Sequence, residues 1–258
     1  MSEIYFSEKN LNPVTARILM PLPDHDYDPG EAAPPWQACK ERGWKVEIST
    51  EHGIAAEGDR NKLKGPLPGW LSASMKARAT YQQMIQDHDY LHPVPYAEID
   101  PDGYDALLLP GGDGLGMHQY LDSQVLRDKV LQFWRQGKLI GAICHGILVL
   151  ARTIDPKTGC SILYGRKVTA PPASLDRAAY WLDKRLVKHG YIMYDQCVFD
   201  EVRASLQRPE DMSPGPNPIK PFVVTDGRLI TARWYRDAEL FAQRFVEKLQ
   251  QRMPASPG

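Results

Sequence analysis

Cys144 and His145 are adjacent inside the run Leu139-Ile140-Gly141-Ala142-Ile143-Cys144-His145-Gly146-Ile147-Leu148-Val149-Leu150. One apolar run leads into Ala-x-Cys-x-Gly and a second leads out. This pattern predicts a strand that turns sharply into a helix, with a nucleophile at the bend. Ala142 and Gly146 are small because the helix must pass close to the strand. A cysteine so placed lies near the N-terminal end of a helix, where partial positive charge favours thiolate over thiol. An unpaired cysteine is more often a small buried hydrophobe. The small flanking residues and the neighbouring histidine weigh against that reading here.

Other chemistry-bearing residues are weaker signals taken singly. Glu31 follows Asp28-Pro29-Gly30 at the start of a predicted helix, where a carboxylate is also favoured by the helix dipole alone. Gly111-Gly112 follows an apolar run and, taken alone, is a glycine-rich turn. Asp176 falls in the first turn of a helix that Ser174 would cap, so it has the same dipole explanation as Glu31. His118 and Tyr120 follow the glycine turn and either line the pocket or sit on the surface, the surface position being the simpler reading. Asp24-His25-Asp26 and the His88/His92 pair have metal-like composition. Such clusters are usually solvated loops, and His92 precedes Pro93, which disfavours a helix carrying both histidines. No catalytic metal is expected, with a second-site metal left open.

These residues need a scaffold, and the apolar runs outline one. Arg17–Leu22 is a candidate first strand of a parallel sheet, followed by an acidic loop from Pro23 to Gly30. Glu31–Gly43 predicts a helix, with its prolines tolerated early and Gly43 as its stop. Trp44–Thr50 alternates as a second strand. Residues 51–97 are rich in glycine and proline, with a helix predicted over Ser72–Gln86; they read as an elaborated crossover, a lid over the sheet edge. Tyr104–Leu109 is a buried strand. A helix follows over Asp122–Gln136, with Val125, Leu126, Val130, Leu131, Phe133 and Trp134 facing inward. The elbow strand comes next, with its helix running to about Thr153. Arg166–Ala170 predicts a strand, Ser174–Val187 a helix and Gln196–Ser205 a strand pair. Residues 208–221 read as a proline-rich surface loop. Phe222–Thr231 predicts a hairpin with an Asp226-Gly227 turn, and Asp237–Gln250 a closing amphipathic helix. The expectation is an α/β fold, a flavodoxin-like, mostly parallel sheet sandwiched by helices. It forms one domain over 16–252, with residues 1–15 as an arm and an insertion at about 51–97.

The 258 residues are 43% hydrophobic, enough for one substantial core, and the net charge of −1 gives no basic surface for nucleic acid. No apolar stretch approaches the roughly 20 residues that span a bilayer, and the start lacks a signal-peptide pattern. Cys39, Cys144, Cys160 and Cys197 are scattered with no CxxC, which argues against a disulfide framework or zinc ribbon and for a reducing, cytoplasmic location.

Taken together, Gly111-Gly112 after a strand, Ala142-Ile143-Cys144-His145-Gly146 at an elbow and Glu31 after Asp28-Pro29 resemble the ThiJ/PfpI family of the class I glutamine amidotransferase-like superfamily. The resemblance extends through Asp155-Pro156-Lys157-Thr158-Gly159, Gly165-Arg166-Lys167-Val168-Thr169 and Thr225–Thr231, covering most of residues 16 to 250. The long insertion is similar to the heat-shock branch, which contains glutathione-independent glyoxalases (glyoxalase III) and proteins also described as chaperones or deglycases. The resemblance implies Cys144 as nucleophile, His145 as its neighbouring histidine and Glu31 as the buried glutamate on the sulfur. It implies Gly112 as a backbone oxyanion donor, with Gly111 beside it and His145 as the second donor. Asp176 would orient the histidine, where some members carry Glu. The implied activity converts methylglyoxal or a related α-oxoaldehyde to a 2-hydroxy acid through a cysteine hemithioacetal, a lyase reaction with no metal, glutathione or other cofactor. A cysteine hydrolase of amides, peptides or isonitriles is the alternative enzyme, and a redox-responsive stress chaperone the alternative from another class. Glutaminase is disfavoured, because no His-x-Glu motif lies downstream. The implied partner is a small aldehyde, with no nucleic acid and no membrane, and a homodimer is open.

Overall fold

The computed structural model describes residues 15–64, 72–174, 177, 197–217 and 219–253. Its strands are β1 (Arg17–Pro21), β2 (His25–Tyr27), β3 (Lys45–Thr50), β4 (Glu57–Gly58), β5 (Val94–Pro95), β6 (Ala106–Leu109), β7 (Leu139–Ile143), β8 (Ile154–Asp155), β9 (Cys160–Ser161), β10 (Val223–Asp226) and β11 (Leu229–Ala232). Its helices are α1 (Pro29–Lys40), α2 (Arg60–Lys64), α3 (Met75–Met84), α4 (His88–Leu91), α5 (Met117–Leu121), α6 (Gln124–Arg135), α7 (Ile147–Ala151), α8 (Val198–Ala204) and α9 (Ala238–Arg252).

Seven strands form the central sheet in the order β10-β11-β7-β6-β1-β3-β5. All neighbours run parallel except β10, which turns back on β11 at one edge. β6 and β7 are buried along their whole length, as strands covered on both faces must be. The register places Leu109 beside Ala142 and Ala232 beside Ile143. The loops leaving β1, β6 and β7 therefore emerge together at the carboxyl edge, where open α/β sheets hold their ligands. Helix α1 packs on α3 and α9, and α9 lies on β7 and β11. Gly141 in β7 makes room for that packing: a Cβ there would stand 2.8 Å from both Phe241 and Phe245. Helix α6 packs on β7 and α7, with α8 beyond α7.

Buried Arg233 stabilises the far edge. It forms a two-pronged pair with Asp237 (2.8 and 2.9 Å) and donates to the carbonyls of Pro214, Asn217 and Lys220. Asp237 also accepts from the backbone N–H of Phe222 and Arg233. The segment after Pro214 is thus tied down despite its prolines.

Several sequence expectations need correction. Gln196–Ser205 is not a strand pair: Val198–Ala204 is a helix, with Val198 and Val202 buried one turn apart. Arg166–Ala170 makes only an isolated bridge, Val168 to Met212, and Thr169 bonds to the Thr231 hydroxyl instead of a ladder. The helix expected over Asp122–Gln136 begins later, capped by Ser123, and Val125 is exposed where it was expected to face inward. Part of the loop expected over Pro23–Gly30 is the short strand β2, paired with β4. The helix expected over Ser174–Val187 lies largely outside the described residues.

The described part of the insertion is held by buried tyrosines. Tyr27 and Tyr90 share a buried hydroxyl bond of 2.8 Å, and Tyr90 donates to the Ala56 carbonyl at 2.6 Å. The Tyr81 hydroxyl accepts from the Gly58 N–H at 3.1 Å.

Candidate active site

Three loops meet at the carboxyl edge. The first follows β1 and enters α1. Asp28 caps that helix by accepting from the Gly30 N–H at 2.7 Å, which sets Glu31 in the first turn with its side chain buried. The second is the turn Gly111-Gly112-Asp113-Gly114 after β6. It joins the first through Asp28 N–H to Gly111 C=O at 2.9 Å and Gly111 N–H to Glu31 Oε2 at 3.1 Å. The third is the elbow after β7, where the chain passes from strand into a single 3-10 turn over Cys144–Gly146 and then α7.

The elbow forces Cys144 to φ +55°, a left-handed conformation that costs a side-chain-bearing residue about 1–3 kcal/mol. Close packing explains the neighbouring glycines. A Cβ on Gly146 would lie 2.2 Å from the Leu109 carbonyl oxygen, and one on Gly111 would lie 2.7 Å from Glu31 Oε2 and 2.8 Å from Cys144 Cβ. The elbow, the glycine turn and Glu31 are thus in backbone-level contact, and glycine at both positions is what permits it.

The sulfur of half-buried Cys144 lies 3.5 Å from His145 Nδ1, and Cys144 and the Glu31 carboxyl both pack against Gly111. His145 itself is buried. The elbow was expected to favour thiolate through a helix dipole. α7 is only five residues long, and burial, followed by the charges of Glu31 and Asp113, pushes the Cys144 thiol well up. Burial, followed by the charge of Asp28, likewise pushes the Glu31 carboxyl well up. Charge on Glu31 therefore opposes charge on the sulfur.

Four more residues complete the surroundings, and the sequence flagged only Tyr120 among them. Lys62, from α2 in the insertion, is buried, with Nζ 3.1 Å from Asp113 Oδ1 and 3.8 Å from Asp28 Oδ2. Asp59, also buried, is pushed up to about 7, first by burial and then by Asp113. Asp113 lies in the glycine turn, which three glycines mark as special without showing that its acid is paired. Tyr120, expected at the surface, is instead fully buried, and the Glu31 charge raises its phenol beyond what burial does. A lysine in a glycine- and proline-rich stretch carries no pattern that separates it from a solvated one.

The remaining candidates separate from this site. His118 is half-exposed and bonds to Asp122, and His88 and His92 stack on each other at the surface, with α4 ending before His92. Asp24 pairs with His52 and Gln119, and His25 with Asp26. No group of three such side chains among the described residues is placed to hold a metal ion. Asp176 lies outside the described residues. No helix among the described residues is long and apolar enough to cross a membrane.

The chain is similar to known proteins. Residues 22–211 match the family model described as ThiJ/PfpI family-like. Glyoxalase 3 of Candida albicans is 23% identical over 201 residues, 78% of this chain and 80% of that protein. Glutathione-independent glyoxalase HSP31 of Saccharomyces cerevisiae is 21% identical over 224 residues, 85% of this chain and 87% of that protein. The crystal structure of glyoxalase III from Candida albicans superposes with a TM-score of 0.68 at 18% identity, covering 90% of this chain and 96% of that one, and so shares the fold. With the elbow, the glycine turn and the flanked parallel sheet in place, this chain belongs to the ThiJ/PfpI family.

Proposed function

We propose that this protein is a cysteine-dependent, glutathione-independent glyoxalase that converts methylglyoxal or a related α-oxoaldehyde to a 2-hydroxy acid. The observation that carries the reading is a buried Glu31 carboxyl packed with a strained elbow cysteine around Gly111. The relatives named as glyoxalases support it.

The Glu31–Cys144 pair holds its protons above the ordinary carboxylate range. Once it has lost one proton, the other is shared, and the form with the proton on Glu31 carries charge on sulfur. That sulfur attacks the aldehyde carbon and forms a hemithioacetal. The new alkoxide sits against the N–H groups of Gly112 and His145, because the Gly111 N–H is committed to Glu31. A base, Glu31 or His145, removes the hydrogen from the former aldehyde carbon to give an enediol and returns a proton to the adjacent carbon. The product is the thioester of a 2-hydroxy acid. Water cleaves it, releasing the acid and restoring the thiol, so the sum is oxoaldehyde plus water to hydroxy acid. This is lyase chemistry, and Asp176 is proposed to orient His145 within it.

The test is methylglyoxal consumption followed together with lactate formation. Equal rates of both, abolished in Cys144→Ala and kept in Cys39→Ala, Cys160→Ala and Cys197→Ala, support the reading. Consumption without lactate reduces Cys144 to a scavenging thiol and refutes it.

A further inference from the structure

Lys62 stands out among the groups that the reaction above does not use. Its ammonium is buried where a lone charge is costly, so its surroundings must compensate it. They do so from two different loops: Asp113 Oδ1 and Oδ2 lie 3.1 Å away, and Asp28 Oδ2 lies 3.8 Å away. Asp28 caps the helix that presents Glu31, and Asp113 follows the oxyanion glycine directly. The lysine is contributed by the insertion, which also sets Ala73 through an N–H bond of 3.0 Å to the Lys62 carbonyl.

The charges around the sulfur make this position consequential. Facing Cys144 among the described residues are Glu31 from α1, Asp28 from its cap, Asp113 from the glycine turn and His145 from the elbow. Facing Glu31 are Asp28, Asp113, Lys62 and, from α5, Tyr120. Asp59 faces Asp113, Asp28 and Lys62. Carboxylates therefore outnumber the cation in contact with them, and each one opposes charge on the sulfur.

We propose that Lys62 is a positioning residue for the Cys144–Glu31 pair: its ammonium fastens the Glu31 loop to the glycine turn, and its charge offsets the carboxylates that face the sulfur, so that the thiolate can form. The inference rests on Cys144 being the reacting group and does not depend on which carbonyl it attacks. The insertion thereby enters the chemistry of the site as well as its shape.

The experiment reads the thiol directly, without turnover. Alkylation of Cys144 by iodoacetamide is measured from about pH 6 to the highest pH at which circular dichroism shows the fold retained, with the modified peptide quantified by mass spectrometry. In Lys62→Met the midpoint of the rate profile moves up by about one pH unit, an approximately tenfold slower reaction below the midpoint. In Asp113→Asn it moves down. In the double variant Lys62→Met/Asp113→Asn it returns toward the wild-type value. If Lys62→Met alone does not fold, comparing the double variant with Asp113→Asn isolates the lysine, because the double variant has lost a charge of each sign. Coincident profiles in that comparison overturn the proposal, as does a Lys62→Met profile that keeps the wild-type midpoint. A failed lactate assay with these shifts intact would remove the glyoxalase reading and leave this one standing.

Discussion

Replacing Asp59 by asparagine should stabilise the protein at alkaline pH and do nothing at acid pH. Asp59 is buried, its Oδ1 accepts from the Asn61 N–H at 2.7 Å, and its Oδ2 has no hydrogen-bond partner. Burial and the neighbouring Asp113 push it from an ordinary 3.8 up to about 7. The folded state therefore binds this proton more tightly than the unfolded chain does. Between those two values the wild type loses stability as pH rises, and below 3.8 it loses none. At about 1.4 kcal/mol per pH unit, the full gap is an upper bound of about 4 kcal/mol, reached near pH 8. Asparagine keeps the acceptor for Asn61 and cannot ionise. In a chain of this size each kcal/mol moves Tm by about 2–4 °C, so the variant should melt up to about 8–16 °C higher at pH 8. Its Tm should equal that of wild type near pH 4. Thermal melts of both proteins at the two pH values make the measurement. If Asp59→Asn gave an advantage of the same size at both, the ionisation of Asp59 would not be what costs stability, and a less stable variant at pH 8 would refute the reasoning outright.

Other substitutions probe the site and the frame separately. Glu31→Gln keeps the volume and removes the ionisable group, so lactate formation should fall by about 10²–10⁴-fold; near-normal kcat would move the base role to His145. Gly146→Ala places a methyl group within 2.2 Å of the Leu109 carbonyl, so the elbow must shift, and Cys144 alkylation and turnover should both drop while the fold is retained by circular dichroism. Arg233→Met leaves the buried Asp237 without its partner and should cost about 3–5 kcal/mol in chemical denaturation. Full recovery in Arg233→Met/Asp237→Leu would show that the ion pair itself contributes little net stability.

Legibility in the sequence followed the packing rules. β6 and β7 are continuous apolar runs because both faces are covered, and such runs are hard to mistake when glycines follow directly. The elbow was legible for a steric reason: Gly146 lies where only hydrogen fits, and that leaves a mark in the sequence. Glu31 needed the family resemblance, since a first-turn glutamate has an ordinary explanation. Val198–Ala204 misleads because a seven-residue helix holding two valines and a phenylalanine looks like a strand at that length. Lys62, Asp59 and Asp113 were silent because their meaning lies in burial and mutual distance. No periodicity encodes that a surface-type residue has been turned inward from an insertion.

The hydroxyl chain through Tyr27 and Tyr90 bears on how molecules reach the sulfur. A hinged cover would need its underside to part from the sheet during every turnover, and here the underside is pinned by two short bonds shielded from water. Ala56 and Tyr90 are therefore fastened to β2, and lifting this part of the insertion would cost both bonds.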